Sequence, residues 1–264
     1  MNAPENIFLP DVQASADIRN ITIQKVGVKS IKHPLHVIGK SGQQATIANI
    51  DMTVMLPGHV KGTHMSRFLE VLQANHAALN FHNAKQLLAQ MLQRLDSTTG
   101  HIELTFPYFV EKTAPVSGVK SLLDYEVSIH ASLSPDGFEY ELGVQVPVTS
   151  LCPCSKEISQ YGAHNQRSHI LIKAQLTNEL CIEDLIEIAE SSASCELWGL
   201  LKRPDEKYVT EKAYENPKFV EDLVRDIAIS LNQIKHINGY EVSSENFESI
   251  HNHSAYAWIK KEKN

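Results

Sequence analysis

Residues 146–169 read VPVTSLCPCSKEISQYGAHNQRSH, a polar segment between two apolar, β-branched runs that have strand character. The segment places Cys152 and Cys154 on either side of a proline, and His164 follows ten residues after the second cysteine. A Cys-Pro-Cys triplet is too tight for an ordinary disulfide, because the two sulfur atoms must meet at a restricted dihedral angle. These thiols are therefore candidates for chemistry, and a thiolate with an imidazole suits a borderline metal such as zinc.

The same residues also have an ordinary structural interpretation. A single cysteine is usually a small buried hydrophobic residue, and a Cys-x-Cys pair lacks the second pair that a structural zinc site shows. The segment alone therefore leaves two alternatives open, a metal or catalytic site and a purely structural role.

Strands and helices are predicted on both sides of this segment. Before it, alternating apolar residues indicate strands, and three- and four-residue apolar spacing indicates two helices. In chain order these elements are residues 21–38, 45–56, 65–79, 84–95, 102–116 and 122–133. Their order is ββααββ. A turn at 39–42 joins the first two strands, which we interpret as a long hairpin.

The same order is predicted a second time after the turn at 134–137. Its elements are strands at 138–148 and 169–176, helices at 182–191 and from Pro217 onward, and strands at 240–247 and 255–260. Asn216 is the expected N-cap of the last helix, and Gly239 is its expected stop. We therefore predict two modules divided near Pro135, spanning residues 1–135 and 136–264, with residues 1–17 as an extended N-terminal arm.

Composition limits the classes of function. The 264 residues are 42% hydrophobic and 21% charged, the balance of a folded globular protein. A net charge of −7 argues against nucleic acid or an anionic membrane as a partner. Four cysteines are too few for a disulfide scaffold, and we find neither a signal-peptide pattern nor a bilayer-length apolar run. We expect a cytoplasmic protein.

Two further clusters contain candidate metal ligands and a candidate substrate ligand. Residues 247–258 contain Glu248, His251 and His253, and the two histidines would face the same side of an extended strand. Residues 202–222 place Glu206 in a predicted loop and Glu221 early in the last helix. Each has a simpler explanation, respectively a solvated hairpin tip and a charged surface on which Glu221 pairs with a residue one turn later, Arg225.

A basic cluster lies between the first hairpin and the first helix. Residues 57–68 read PGHVKGTHMSRF, in which Lys61, His64 and Arg67 precede or begin a predicted helix. Such donors near a helix N-terminus suit a phosphate, although an exposed basic turn would look the same. The order of residues is not that of a Walker motif.

Six motifs in a fixed order give the chain a specific resemblance. They are LPDVQ at 9–13, PGHVKGTHMSRF at 57–68, PVTSLCPCSKEIS at 147–159, GAHNQRSH at 162–169, KRPDEK at 202–207 and NFESIHNHSAYA at 246–257. Together they resemble the type IB GTP cyclohydrolases over nearly the whole chain. The resemblance implies an α+β tunnelling fold: two tandem ββααββ modules, antiparallel sheets with helices on one face, and barrels formed in a homotetramer.

The resemblance also implies a reaction. GTP and water are converted to 7,8-dihydroneopterin triphosphate and formate, the first step of tetrahydrofolate synthesis. The resemblance leaves open whether the product also supplies a modified tRNA base, queuosine. One divalent metal per site, either zinc, manganese or iron, would activate the water that attacks C8 of the purine. Since few of the motifs can meet within one chain, the active sites are expected at the subunit interfaces of a homo-oligomer.

Residue roles follow from the same resemblance. The candidate metal ligands are Cys152, His164, Glu206, Glu248 and His251. The catalytic or acid/base candidates are Cys152, Cys154 and His253. Glu221 would accept hydrogen bonds from the guanine edge of the substrate. The candidates for binding the triphosphate are Lys61, His64, Arg67, Arg167, Lys202 and Arg203.

Two other classes of function stay open at this point. One is another tunnelling-fold enzyme, such as a nitrile reductase or a pterin aldolase, which would not release formate. The other is a non-catalytic module that binds a metal or a nucleotide. Removal of Cys152 would then lower stability and not turnover.

Overall fold

Eight antiparallel strands form one sheet in the computed structural model, which describes residues 11–13 and 15–263. The strands are β1 (Ile23–Gly39), β2 (Gly42–Leu56), β3 (Gly100–Thr113), β4 (Lys120–Ser134), β5 (Gly137–Leu151), β6 (Asn165–Leu176), β7 (Ile237–Asn246) and β8 (Ala255–Glu262). The helices are α1 (Met65–Ala74), α2 (Phe81–Leu95), α3 (Pro153–Ile158), α4 (Ile182–Ser192), α5 (Arg203–Glu215) and α6 (Val220–Gln233). Each strand pairs with the next strand along the chain, in the order β1 to β8.

Alternation along the strands places the hydrophobic core on one face of the sheet. On β5 every second residue is buried, namely Tyr140, Leu142, Val144, Val146 and Val148. The helices pack their apolar stripes against this face, with Leu88, Leu185 and Ile227 fully buried. Each such side chain contributes about 1.5–3 kcal/mol when it is removed from water. The periodicity that predicted these elements is therefore the periodicity of burial.

The tip of the first hairpin is fastened to a helix from the second half of the chain. Gly39 pairs with Gly42 in the predicted turn, where Gly42 has a φ of +105°. Lys40 Nζ lies 2.8 Å from a carboxylate oxygen of Asp184 and 2.8 Å from one of Glu187, both on α4. The buried Glu183 accepts hydrogen bonds from the Lys40 amide at 2.9 Å and from the Tyr108 hydroxyl at 2.6 Å. The two halves of the sequence therefore share contacts.

The predicted fold class is wrong. The sheet is continuous, because β4 and β5 are hydrogen-bonded neighbours from Glu126–Gln145 to Ser134–Gly137. The second half has the order βαβαααββ and does not repeat ββααββ. Helices α3 and α5 account for the difference. Each has a proline in its first turn, which suits the start of a helix, but neither helix has the apolar stripe from which a helix is predicted. The division at Pro135 would fall in the β4–β5 turn and stays a prediction.

The last helix begins later than predicted. α6 starts at Val220, with Phe219 as its N-cap, because Asn216 has another role. Asn216 ends α5, and its side-chain amide donates to the carbonyl of Ala193 at 2.8 Å. Gly239, predicted as the stop of this helix, lies inside β7. The N-cap residue next to a proline therefore predicted a helix in the correct region but placed its start three residues too early, at Pro217 and not at Val220.

The described part of the N-terminal arm lies along the loop after β2. Backbone hydrogen bonds join Asp17 to His59, Lys61 to Ser15 and Gly62 to Gln13, at 2.9–3.1 Å. Residues 1–10 of the predicted arm lie outside the described residues. Among residues 11–13 and 15–263, no helix is long and apolar enough to cross a membrane.

The sheet has two ends that carry different loops. We define the cysteine end as the end where β3, β5 and β7 finish, with the connections 114–119, 152–164 and 247–254. We define the Lys61 end as the opposite end, where β2 finishes and the loop 57–64 begins. Strands of 14 and 15 residues separate the two ends, which corresponds to about 45 Å of extended chain.

Candidate metal and substrate site

The cysteine segment folds back so that Cys152 and His164 are neighbours. The Cys152 amide donates to the carbonyl of His164 at 3.1 Å, directly after β5 ends. Cys152 is the N-cap of the short helix α3, and its sulfur accepts from the amide of Ser155 at 3.4 Å. The Ser155 hydroxyl in turn accepts from the amide of His164 at 3.2 Å. Local hydrogen bonds therefore hold the thiol and the imidazole on one loop.

A carboxylate from the loop after β7 approaches this histidine. Glu248 Oε2 lies 3.9 Å from His164 Nδ1, and the two side chains are only 14% and 13% exposed. The same ring nitrogen lies 3.0 Å from Gln166 Oε1 and 3.5 Å from the Ser249 hydroxyl. Contacts with oxygens on two sides orient the imidazole, as is common for metal-binding histidines.

The loop that carries Glu248 is attached to β6. The Phe247 amide donates to the carbonyl of Arg167 at 3.0 Å, and the Phe247 ring packs edge-on against His169 at 4.9 Å. His251 and His253 lie in this loop, exposed, with their rings stacked at 5.1 Å and 12°. The two histidines are therefore adjacent, in the loop between β7 and β8.

The five predicted metal ligands do not form one cluster within a single chain. In the part of the chain that the structure describes, no group of three or more His, Cys, Asp or Glu side chains is placed to hold a metal ion. The thiol, imidazole and carboxylate around His164 have the donor chemistry of a site for zinc, manganese or iron. Among the described residues they do not complete a coordination shell.

Helix α5 presents three of the predicted residues. Lys202 precedes its first turn, Arg203 begins it and Glu206 follows, and all three are exposed. Between them, Asp205 is fully buried. Burial raises the pKa of Asp205, but hydrogen bonds from Ser117 and from the backbone amides of residues 116, 117 and 202 outweigh it and hold that pKa well below its usual range.

The other end of α5 contacts the cysteine segment. Lys156 of α3 donates to the carbonyl of Tyr214 at 2.6 Å and lies 4.5 Å from the centre of its ring. Glu206 is eight residues earlier on the same helix, about 12 Å along its axis. Helix α5 thus crosses the cysteine end of the sheet. Its first turn carries Asp205 and Glu206, and its C-terminal turn contacts the cysteine segment.

The remaining predicted residues at this end are exposed. Glu221 lies in the first turn of α6, and the Lys218 amide donates to the carbonyl of Leu151 at 3.1 Å, so the helix starts beside the end of β5. Arg225, one turn further on, is also exposed. Cys154 lies on α3, and Arg167 lies near the start of β6 opposite Thr149.

The basic cluster Lys61, His64 and Arg67 lies at the opposite end of the sheet. His64 Nε2 is 3.1 Å from Asp11 Oδ1, so the loop 57–64 and the N-terminal arm are joined by a side-chain contact as well as by backbone bonds. The structure does not bring these three residues to the cysteine segment of the same chain. About 45 Å of strand separates the two groups.

Four residues near the site were not assigned a role from the sequence. Gln166 and Ser249 contact the His164 ring, Lys156 joins α3 to α5, and Asp205 joins α5 to the β3–β4 turn. One signal was present for Asp205, since an acidic residue directly after a proline is typical of a helix first turn. The other contacts depend on tertiary structure, and no sequence pattern indicates them.

Solved structures with the same fold are urate-oxidising enzymes by their titles. Uricase from Arthrobacter globiformis aligns with a TM-score of 0.53 and 8% identity, covering 91% of this chain and 93% of that chain. A highly active mutant of Bacillus sp. TB-90 urate oxidase aligns with a TM-score of 0.54 and 10% identity, covering 91% and 100%. At such low identity the likeness shows the fold alone. The chain therefore has the class of α+β fold found in uricases.

Sequence comparison identifies the family. A family model described as type I GTP cyclohydrolase FolE2 matches residues 9–257. GTP cyclohydrolase FolE2 of Azoarcus sp. (strain BH72) is 57% identical over 265 residues, covering 100% of this chain and 98% of that protein. The FolE2 of Paraburkholderia phymatum is 59% identical over 256 residues, covering 97% and 96%. The chain belongs to the type I GTP cyclohydrolase FolE2 family, which confirms the family expected from the six motifs.

Proposed function

We propose that this chain is a GTP cyclohydrolase, a hydrolase that converts GTP and water to 7,8-dihydroneopterin triphosphate and formate in tetrahydrofolate biosynthesis. The family match over residues 9–257 is the observation that carries the proposal, because it includes every cluster at the cysteine end of the sheet. Relatives named GTP cyclohydrolase FolE2, at 57–59% identity over nearly the full chain, support it.

The proposed reaction uses a divalent metal, either zinc, manganese or iron. Cys152, His164 and Glu248 are the residues best placed to hold it, with His251 and Glu206 as further ligands after a loop movement or from another chain. A metal at this position supplies Lewis-acid activation of the attacking water. Gln166 and Ser249 would hold the His164 ring in a fixed orientation, since both have oxygens within 3.5 Å of Nδ1.

Proton transfer is assigned to exposed groups on the same side. Cys154 on α3 and His253 in the loop 247–254 would protonate purine ring nitrogens as the C–N bonds break. Both side chains are reachable by a substrate that approaches from solvent. Neither side chain lies in a buried hydrogen-bond network.

Substrate recognition is divided between the two ends of the sheet. Glu221 would accept hydrogen bonds from adjacent guanine N–H groups, and Arg167, Lys202 and Arg203 would contact the triphosphate at the cysteine end. Lys61, His64 and Arg67 would contact it from a second chain. This arrangement requires a homo-oligomer, which we propose to be a tetramer with sites at subunit interfaces. It also provides the cover that the exposed Glu221 lacks in one chain.

One assay tests the activity and the metal together. Purified protein is loaded with zinc, manganese or iron, supplied with GTP, and followed by formate release and by the ultraviolet absorbance of the pterin product. We expect formate and pterin in equal amounts, loss of both after chelation, and recovery on adding metal. Turnover that persists in metal-free protein would contradict metal dependence, and GTP that stays intact with bound metal would contradict the cyclohydrolase assignment.

A further inference from the structure

Asp205 is a buried carboxylate inside an otherwise exposed motif. In KRPDEK at residues 202–207, Lys202, Arg203 and Glu206 are exposed, whereas Asp205 has 0% of its surface accessible. Aspartate is almost never fully buried unless its oxygens are hydrogen-bonded. The position therefore indicates a specific set of partners.

Those partners belong mostly to a distant turn. Asp205 Oδ1 accepts from the amides of Val116 at 2.9 Å and Ser117 at 2.8 Å. Oδ2 accepts from the Ser117 hydroxyl at 2.6 Å and from the Lys202 amide at 2.8 Å. Three of these four donors lie in the connection between β3 and β4. A single side chain thus joins the start of α5 to the cysteine end of the sheet.

The chain contains two matched helices that lack this connection. Asp184 of α4 and Asp222 of α6 occupy the same third helical position and accept from the N-cap amides of Cys181 and Phe219, each at 3.1 Å. Both are partly exposed. Asp184 also pairs with Lys40 at the tip of the first hairpin at 2.8 Å, so Asp222 is the cleaner comparison, and it shows that capping itself needs neither full burial nor bonds from a distant turn. The three bonds from residues 116 and 117 to Asp205 go beyond capping.

The far half of α5 is held independently. The Lys212 ammonium lies 3.4 Å from Glu196, which also pairs with the buried Lys112 at 2.7 Å. Asn216, at the end of the helix, donates to Ala193, and Lys156 donates to Tyr214. Loss of the Asp205 bonds would consequently free the first turn of α5 and leave the rest of the helix in place.

We propose that Asp205 is a positioning residue that fixes the first turn of α5, and with it the directions of Lys202, Arg203 and Glu206. The inference rests on the proposed function, in which these three side chains meet the triphosphate and the metal. Asp205 itself touches neither, because it is enclosed by the turn. A misplacement of a functional group by about 1 Å can lower the rate on the order of a hundredfold. Asp205 holds the segment that carries three exposed functional side chains, so its loss should change the kinetics.

The test compares Asp205→Asn with Ser117→Ala and with the matched control Asp184→Asn. Asparagine keeps one oxygen for the amides of residues 116 and 117 but presents an NH₂ group to the Lys202 amide. We expect Asp205→Asn to raise KM for GTP about tenfold with unchanged oligomer size and circular dichroism, and Ser117→Ala to raise it less. Asp184→Asn removes the equivalent cap, together with an ion pair to Lys40, on a helix without candidate site residues, and should lower the unfolding midpoint with wild-type kinetics.

A second background separates positioning from mere stability. In a Lys202→Ala/Arg203→Ala protein, Asp205→Asn should raise KM by less than about twofold, because the two triphosphate-binding side chains that it positions are gone. An equal rise in both backgrounds, or wild-type kinetics for Asp205→Asn with a lower unfolding midpoint, would overturn the inference and leave Asp205 as a helix cap. Wild-type protein that releases no formate from GTP would instead overturn the proposed function on which the inference rests.

Discussion

The two ends of the sheet differ in how their candidate residues are held. At the cysteine end, Cys152 and His164 belong to the connection 152–164 and Glu248 to the connection 247–254, hydrogen bonds bring these two segments together, and His164 and Glu248 are largely buried. At the Lys61 end, the basic residues lie on the loop 57–64 and in the first turn of α1, and the contacts of that loop include the N-terminal arm. The first arrangement is suited to fixed geometry and the second to a binding surface. Under the proposed function, the metal-binding and acid/base candidates lie at the cysteine end, and the triphosphate-binding candidates are divided between the two ends.

The distance between the ends makes the comparison testable. The two clusters are separated by a strand length of about 45 Å, and a triphosphate is far shorter. The two clusters of one chain therefore cannot contact the same GTP. If both clusters serve catalysis, two copies of the chain must meet with the cysteine end of one near the Lys61 end of the other. A two-fold axis between the chains would make this contact isologous, so that each pair of chains forms two equivalent sites.

The largest effect is expected from Cys152→Ala. Formate release should be abolished because the variant loses the soft ligand of the proposed metal site, while circular dichroism and oligomer size stay unchanged. Cys181→Ser is the matched control, since Cys181 is a partly buried helix cap on α4 outside the site. Unfolding of Cys152→Ala, with an intact Cys181→Ser, would show that the cysteine has a structural role.

Mixing two inactive variants tests whether the ends cooperate between chains. Cys152→Ala and a Lys61→Ala/Arg67→Ala protein are co-expressed with different tags, and mixed oligomers are purified. If each site takes one end from each of two chains, random assortment leaves on the order of a quarter of the sites intact. Activity is therefore expected to return to about that fraction. Mixed oligomers as inactive as the parents would place both clusters in separate functions.

A smaller effect is expected from Glu221→Gln. In the proposed site the Glu221 carboxylate accepts two guanine N–H bonds, and the substitution presents an NH₂ group to one of these donors. An unpaired buried polar group costs about 1–3 kcal/mol, so kcat/KM should fall at least about tenfold. Metal content should be unchanged. Glu211→Gln is the control, because Glu211 is an exposed carboxylate 3.8 Å from Lys207 one turn away.

Two results would change this role for Glu221. Kinetics equal to those of Glu211→Gln would show that Glu221 is an ordinary surface residue that contributes a few tenths of a kcal/mol. Loss of metal together with activity would make it a ligand.

The smallest effect is expected from Lys40→Met in the first hairpin. Lys40 pairs with Asp184 and Glu187 across partly exposed surfaces, so its loss should lower the free energy of unfolding by no more than about 1 kcal/mol. Formate release should be unchanged, because the hairpin tip contains no candidate site residue. Urea denaturation and the formate assay measure both quantities. A tenfold loss of activity would show that the hairpin takes part in the site.

Sequence patterns predicted the strands and most helices because burial in this chain follows regular periods. Val144, Val146 and Val148 alternate on β5, and Leu223, Val224 and Ile227 form the stripe of α6. Helix α5 was missed because few of its residues are apolar and its position depends on Asp205 and a turn 88 residues earlier. The fold class was wrong because pairing of β4 with β5 and the extra helices are tertiary outcomes.

The candidate site was predicted in part. Motifs that resemble a known family predicted Cys152, His164 and Glu248 as ligands of one metal, which stays a prediction: the structure brings their segments into contact but, among the described residues, groups no three such side chains to hold a metal ion. The location of Lys61 and Arg67 at the far end of the sheet was not predicted, because motif order carries no distances. Neither was the role of Gln166 beside the imidazole, since nothing in its sequence neighbourhood distinguishes it from a surface glutamine.

The attachment of the first hairpin to α4 has a consequence for biosynthesis of the chain. Successive antiparallel strands can pair as each one leaves the ribosome, because every partner is the next strand along the chain. The Lys40 amide, however, bonds to Glu183, 143 residues later. The hairpin tip therefore lacks this contact until more than half of the polypeptide has been translated. We expect this contact to be among the last to form, and a nascent chain that stops before α4 to be the form that requires chaperone protection.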